Sequence, residues 1–271
     1  MKTSLSLLFL LATLSVAHAS PRVLPFTYPY ETPAAGSLEV EQYVDMVPVR
    51  VAKEMPDGTL DGVYSMRMLL QTELEYAVTD RLEIALYFAF RQGASPDTPF
   101  MRFQGLKQRA RYRFAERDEW PVDVGIYLEV AEYHNEIELE EKLMLSKRFG
   151  RFAIASNLWI EQEYYWQTKE TKYIYNPTLG VTYEVSPRLS LGLEYWARGR
   201  FDRGMDVNDL DGTSEAATST VHYVGPTALV QKGKIFVSAG AYLRAEKLAT
   251  AAVAGDPFGK LWIRMIVGVD L

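Results

Sequence analysis

Along most of the chain, apolar and polar residues alternate one by one. In residues 64–78 the even-numbered positions are mostly apolar, as at Met66 and Leu74, whereas odd-numbered positions carry Arg67 and Glu73. A period of two is that of a β-strand with two different faces. The alternation predicts about twelve strands, at 37–47, 62–78, 82–92, 102–115, 121–133, 136–149, 151–166, 171–185, 189–201, 219–231, 234–246 and 258–271.

The predicted connections fall into two length classes. Tight turns follow four strands, at 79–81, 150, 186–188 and 232–233. Longer segments follow four others, at 48–61, 92–101, 202–218 and 247–257. Short turns on one side and longer loops on the other are typical of bacterial outer-membrane barrels. Gly225-Pro226 falls inside the tenth strand, where we expect an irregularity because proline donates no ladder hydrogen bond.

These patterns predict an all-β fold, a closed antiparallel transmembrane β-barrel with short periplasmic turns and longer extracellular loops. Strands of about eleven residues or more suit a tilted crossing of the bilayer. A closed sheet also satisfies every backbone polar group where lipid offers no partner. The apolar face would meet lipid and the polar face would line the lumen. A soluble lipocalin-like barrel or a sandwich, with the apolar face inward, is the alternative.

The first twenty residues indicate the compartment. Lys2 precedes an apolar run over residues 5–16, and Ala17-His18-Ala19 matches a small-x-small cleavage site. This is the pattern of a secretory signal peptide. We therefore expect a signal peptide at 1–19 cut after Ala19, an N-terminal periplasmic segment at 20–36 and a barrel at 37–271, in the outer membrane of a Gram-negative bacterium.

Composition agrees with a membrane barrel. The chain has 17 tyrosines, no cysteine and a formal net charge of −6. Tyrosines are enriched in the aromatic belts at membrane interfaces. After residue 20 no apolar run approaches the roughly 18 residues that a transmembrane helix needs, so strands are the predicted spanning elements.

One stretch carries a family resemblance. The sequence "YPYETPAAGSLEVEQYVDM", Tyr28–Met46, resembles the opening of an uncharacterised family of Gram-negative outer-membrane β-barrels. Tyr43 stands where that pattern has tryptophan. The family lies near barrels regarded as transporters linked to the degradation of aromatic compounds. The resemblance implies an outer-membrane barrel and no established activity. The matching residues are Glu31, Thr32, Pro33, Gly36, Glu39, Glu41, Gln42 and Tyr43.

Charged residues on the polar faces are the main candidate chemistry. The stretch "KQRARYRF" places four cations at alternate positions, opposite Tyr112 and Phe114. A nucleic-acid patch would not need that apolar face, so we expect no nucleic-acid partner. The charges either pair across neighbouring strands and fill the barrel, or line a selective pore. The candidate lumen-lining residues are Lys107, Arg109, Arg111, Arg113, Glu73, Glu75, Glu83, Asp123, Glu129, Glu138, Glu140, Glu161, Glu163, Arg198 and Arg264.

Aromatic residues fall into two groups. Trp159 and Trp196 have the inward parity and could stack on a ring-shaped solute. The others lie near predicted outer strand ends, where an interfacial girdle is expected. These are Tyr164, Trp166, Tyr173, Tyr175 and Tyr195.

An enzyme is the rival of another class, a lipid hydrolase with a serine–histidine pair. The mature chain has only His134 and His222, and Ser219 lies three residues from His222, which points the two side chains to opposite strand faces. The "DVNDLDG" stretch at 206–212 lacks the terminal glutamate of a calcium loop. We therefore expect no enzyme activity, no cofactor and no metal site.

The function that these patterns favour is passage of small solutes. We expect a channel or facilitator with a charged lumen, with a closed structural or binding barrel as the alternative and a lipid hydrolase behind both. The expected partners are outer-membrane lipid, the barrel assembly machinery and a small solute that the sequence does not identify.

Overall fold

The computed structural model describes residues 21–93, 100–201, 220–245 and 258–271, so the signal-peptide prediction lies outside the described residues. These residues form one antiparallel sheet. None of them belongs to a helix long and apolar enough to cross a membrane. The strands are β1 Leu38–Glu54, β2 Leu60–Ala77, β3 Leu82–Gln92, β4 Met101–Arg113, β5 Asp123–Tyr133, β6 Glu136–Phe149, β7 Phe152–Tyr165, β8 Glu170–Tyr175, β9 Thr178–Ser186, β10 Leu189–Arg200, β11 Val221–Lys232, β12 Ile235–Arg244 and β13 Leu261–Asp270.

The sheet closes into a barrel with twelve strand positions. β1 pairs with both β2 and β13, and β10 pairs with β11. Each strand position therefore has a neighbour on both sides, and the sheet closes on itself. β8 and β9 share one position, since both lie between β7 and β10. The sequence predicted one strand there, at 171–185. The break falls at Asn176-Pro177, where proline lacks a backbone donor. The predicted twelve-strand closed barrel is confirmed.

The first hairpin is longer than the sequence predicted. β1 and β2 have 17 and 18 residues and pair from Leu38↔Tyr76 to Glu54↔Leu60. The expected long loop at 48–61 is therefore wrong. Pro48 lies inside β1, but the pairing of β1 with β13 stops at Met46, so no partner on that side needs a donor from Pro48. The chain reverses at 55–59, where Gly58 has a φ of +80°.

The predicted irregularity at Gly225-Pro226 is confirmed as a gap in one ladder. The pairing of β11 with β12 passes from Val224↔Leu243 to Thr227↔Gly240 without a partner for either residue. On the other side, Pro226 keeps its place opposite Leu193 of β10. A Cβ at Gly225 would collide with the carbonyl oxygen of Ala241, so the close approach of the two backbones requires glycine.

The two faces of the sheet differ as a membrane barrel requires. Leu74 and Leu158 are exposed on the outside at 40% and 54% of their surface, whereas Glu73 and Asn157 are fully buried inside. A soluble barrel would bury the apolar face, so the lipocalin-like alternative is wrong. The exposed apolar face suits hydrocarbon, and the interior must satisfy its polar groups within the protein.

Candidate solute pathway in the barrel lumen

The N-terminal segment occupies the lumen. We call one end of the barrel the short-turn end, from its turns at 78–81, 150–151, 187–188 and 233–234. There, Thr32 Oγ1 donates to the carbonyl oxygen of Asp80 at 2.6 Å, and Arg117 pairs with Glu31 at 2.8 Å. Followed from this anchor towards its N-terminus, the chain enters the barrel, where the side chains of Arg22, Phe26 and Tyr30 are buried. The boundaries of a separate segment at 20–36, and its periplasmic location, stay predictions.

Two wall residues bind the backbone of this segment. Asn157 of β7 donates its Nδ2 to the carbonyl oxygen of Tyr28 at 2.9 Å, and its Oδ1 accepts the N–H of the same residue at 2.7 Å. Glu194 of β10 accepts the N–H groups of Thr27 at 2.6 Å and Phe26 at 3.1 Å. These bonds satisfy backbone groups of a bent segment that belongs to no strand.

The side chains of the segment fit separate parts of the wall. The Phe26 ring stacks on Trp196, with centroids 4.5 Å apart, and the Arg264 guanidinium lies 3.8 Å from its centre. Arg22 pairs with Glu41 at 3.0 Å and lies 3.9 Å from the centre of the Tyr28 ring. Such cation–π contacts are strengthened by the exclusion of water.

The cation ladder of β4 is neutralised by carboxylates of neighbouring strands. Arg109 pairs with Glu73 at 3.0 Å and Glu75 at 2.8 Å, and also with Glu83. Arg111 shares Glu83. All five side chains are buried. This geometry favours the pairing interpretation over an open cationic wall, because the guanidinium groups face carboxylates instead of a free passage.

The two ends of the ladder differ. Lys107 pairs with Glu129 at 2.8 Å and lines the central lumen. Arg113 lies at the short-turn end, where it donates to the carbonyl oxygen of Asp80 at 2.7 Å and pairs with Glu116 at 2.7 Å. Three of the four cations therefore belong to the interior, and Arg113 is a residue of the rim.

The two remaining cationic candidates form further ion pairs. Arg198 binds Glu161 at 2.6 Å and Glu163 at 2.8 Å, and Arg264 binds Asp45 at 2.8 Å. Other candidates have different surroundings. Glu140 pairs with Lys142, Asp123 accepts the N–H of Asp118 near the rim at 2.9 Å, and Glu138 lines the central lumen.

Two rim groups have shifted proton affinity. Burial raises the pKa of Tyr30 to about 12, and the nearby carboxylates of Glu31 and Asp123 act in the same direction. A hydrogen bond from Lys147 lowers the pKa of Asp118, which lies in the turn between β4 and β5. At neutral pH the tyrosine is therefore uncharged and the aspartate ionised, which suits their surroundings.

The described residues line three cavities inside the barrel. An inner cavity of about 460 Å³ lies at the short-turn end, beside Leu24 and Arg188. A central cavity of about 190 Å³ and an outer one of about 240 Å³ share Phe26 and Trp159 in their walls. None of the residues that line the inner cavity lines either of the other two. The N-terminal segment contributes to both sides and separates them.

The central cavity has a balanced lining. Four of its side chains are cationic and four are carboxylates. The cations are Lys107, Lys142, Arg198 and Arg264, and the carboxylates are Glu129, Glu138, Glu140 and Glu161. A lining of this kind offers partners to both charges and adds no large net field of its own.

Carboxylates in the described part of the barrel come close enough to share a cation in three places. The groups are Glu41 with Glu73 and Glu75, Glu129 with Glu138 and Glu140, and Glu138 with Glu161 and Glu163. Protein cations already face each group, namely Arg22 and Arg109 at the first, Lys107 and Lys142 at the second and Arg198 at the third. The donor set therefore fits the observed ion pairs without a metal.

The predicted aromatic residues have separate roles. Tyr164, Trp166 and Tyr173 are exposed on the outer surface, as an interfacial girdle requires. Trp196 has the predicted inward position, but its ring is buried and stacks on both Phe26 and Tyr223, with centroids 4.5 and 4.3 Å apart. Ser219, which the sequence placed on the opposite strand face from His222, lies outside the described residues. His222 Nδ1 and the hydroxyl of Tyr195 share a hydrogen bond at 2.7 Å, and the tautomer of the imidazole ring decides which group donates.

Sequence reasoning missed the role of Asn157, Glu194 and Arg22. The alternation placed the first two on polar strand faces but gave no reason to single them out. A usable signal is the composition of residues 23–30, "VLPFTYPY", which is too apolar and aromatic for a water-exposed tail.

The fold is similar to those of solved outer-membrane barrels. The crystal structure of the COG4313 outer membrane channel from Pseudomonas putida F1 matches with a TM-score of 0.61 and 14% identity, covering 89% of this chain and 98% of that one. The NanC porin matches with a TM-score of 0.56 and 9% identity, covering 86% and 100%. No protein-family model matches the chain, and no curated protein does. The protein therefore has the fold of an outer-membrane barrel.

Proposed function

We propose that the protein is an outer-membrane channel or facilitator for small polar solutes. The carrying observation is the pair of cavity systems, inner and central-outer, inside a closed barrel whose outer face is apolar. A barrel with a purely structural interior would need only ion pairs and packed side chains. Here the charged groups surround space that can hold a small molecule.

The balanced charge of the lining sets the kind of solute. A strongly cationic or acidic lumen would concentrate one sign of ion. In the central cavity, four cations and four carboxylates line a narrow space, so a small polar or zwitterionic solute finds partners of both signs. The channel and the porin with similar folds agree with transport, which for this chain remains the proposal.

The N-terminal segment is the barrier along this path. Passage between the inner and central cavities requires residues 22–30 to shift, because they lie between the two. The shift breaks the hydrogen bonds to Asn157 and Glu194 described above. A typical hydrogen bond contributes about 1 kcal/mol net, so we expect a low open probability in the unmodified protein.

Planar-bilayer recordings of the full-length mature protein test this function. We expect small, infrequent conductance steps from protein that migrates as a folded, heat-modifiable band on gels. Liposome swelling with an uncharged sugar and with a zwitterion would compare the two solute types. Complete absence of conductance and swelling, with folding intact, would contradict the channel and favour a closed structural or binding barrel.

A further inference from the structure

We propose that the lumen wall around Asn157 and Glu194 is a binding site for a short peptide in a bent conformation, a site that residues 22–30 occupy in cis. Both side chains are buried, and both bind main-chain atoms of the segment. This goes beyond solute passage, because binding of a peptide requires no conductance. We call the part of the lumen wall that contacts residues 22–30 the seat.

The first argument is the pattern of backbone recognition. Three consecutive N–H groups, at Phe26, Thr27 and Tyr28, donate to Glu194 or Asn157, and the carbonyl oxygen of Tyr28 accepts from Asn157. Contacts of this kind are independent of side-chain identity, and main-chain hydrogen bonds contribute affinity where a protein receives a peptide. If the segment left, two buried polar side chains would lose these partners, which favours any ligand that supplies peptide groups.

The second argument is the space that the wall keeps for side chains. A Cβ built at Gly180 would lie 2.5 Å from the Leu24 side chain, and one at Gly192 would lie 3.2 Å from it. These glycines leave room for an aliphatic residue. Two residues further along the segment, Phe26 lies against Trp196, with the ring of Tyr242 at 5.1 Å.

The third argument is the burial and the backbone conformation of the segment. Residue 22 and residues 24–28 are all buried, and the backbone bends at 23–27, so the wall encloses the segment on several sides in a bent conformation. Arg22 reaches the Glu41 carboxylate, and the Tyr28 ring lies 4.9 Å from that of Tyr127. The ligand class is therefore a short bent peptide with a cation, an aliphatic residue and two aromatic residues at the positions of Arg22, Leu24, Phe26 and Tyr28.

Folding of the whole chain followed by a cut tests this site. A protease recognition sequence is inserted between Ala34 and Ala35, which are exposed, and the refolded protein is cut there. A fluorescent synthetic peptide with the sequence of residues 21–32 is then added, and its anisotropy is followed. We expect saturable exchange into the seat with one peptide per barrel.

N-methylated peptides provide the matched comparison. Methylation of the Tyr28 nitrogen removes the donor to Asn157 and should weaken binding at least tenfold. Methylation of the Val23 nitrogen, which donates to no group among the described residues, should change binding less than threefold. Equal binding of the two methylated peptides would overturn the proposal, as would failure of the unmodified peptide to exchange in large excess.

The channel and the peptide site fail separately in these experiments. Specific peptide binding without conductance from the cut and emptied protein would refute the channel and leave the site intact. Conductance with no specific peptide binding would refute the site and leave the channel.

Discussion

Phe26 stacks on Trp196 with ring centroids 4.5 Å apart. A tryptophan with an inward position therefore has one face covered by an aromatic residue of the same chain. The contact links the N-terminal segment to β10, the strand that also carries Glu194. Any change that frees the Trp196 ring should also loosen the segment and affect passage through the lumen.

Replacement of Phe26 by alanine tests that link. Loss of a buried phenylalanine costs about 3–5 kcal/mol in protein cores, and here the cost falls mainly on the seated segment. We expect Phe26→Ala to increase the open probability in bilayer recordings at least tenfold. Phe100→Ala is the matched control, since Phe100 is an exposed residue. Equal open probabilities for the two variants would contradict the role given to the segment.

The cation ladder should be structural at Arg109. Arg109→Met leaves the carboxylates of Glu73 and Glu75 without the guanidinium that pairs with them, and removal of one partner of a buried pair costs about 3–5 kcal/mol. We expect a lower urea midpoint for unfolding of the refolded barrel. Arg113→Met at the rim should cost about 1 kcal/mol or less. A larger loss for Arg113→Met would show that the interior network contributes little.

Charge selection should depend on Glu138, which lines both the central and the outer cavity. A unit charge at 4 Å contributes about 1 kcal/mol in water, so Glu138→Gln should lower the ratio of cation to anion permeability roughly fivefold. The reversal potential in a salt gradient measures this. Glu132→Gln, at an exposed position on the neighbouring strand, serves as the control. An unchanged reversal potential for Glu138→Gln would place the ion path elsewhere.

The contact between Gly180 and the Leu24 side chain should be sensitive to one added methyl group. In Gly180→Ala the new Cβ would overlap the Leu24 side chain, so the segment should dissociate faster after the post-folding cut. Shortening the opposing residue should reverse this, and Leu24→Ala with Gly180→Ala should bind better than Gly180→Ala alone. The double-mutant comparison isolates this contact. A Gly180→Ala variant with an unchanged dissociation rate would show that the wall is not fitted to Leu24.

Most of the barrel could be predicted from the sequence because period-two alternation records which face of each strand meets lipid. β3, at Leu82–Gln92, has the predicted bounds, and the interior position of Arg109 follows from its parity. Parity does not reveal partners across strands, so the sequence left pairing and pore lining open. The register, which sets Glu83 opposite Arg111, favours pairing.

The N-terminal segment could not be predicted in the same way. Its seat is built from Asn157 and Glu194, which lie more than a hundred residues away along the chain, and no local pattern connects them. The length of the β1–β2 hairpin was also missed. Pro48 lies inside β1, where proline is tolerated because the pairing with β13 has already ended.

A reversible covalent lock can hold the segment in its seat. A Cβ built at Gly125 lies 3.7 Å from the Cβ of Tyr30, close to the mean of about 3.8 Å for disulfides. The chain has no cysteine of its own, so Tyr30→Cys with Gly125→Cys forms a unique pair. Because the new side chain at position 125 also crowds Met144, each single cysteine variant serves as a control.

Bilayer conductance of this double variant, before and after addition of a reductant, tests the central claim most directly. We predict no conductance steps while the disulfide is closed and steps that appear after reduction, with both single variants conducting throughout. Equal conductance in the oxidised and reduced states would contradict the claim that solutes pass only when the N-terminal segment leaves its place in the lumen.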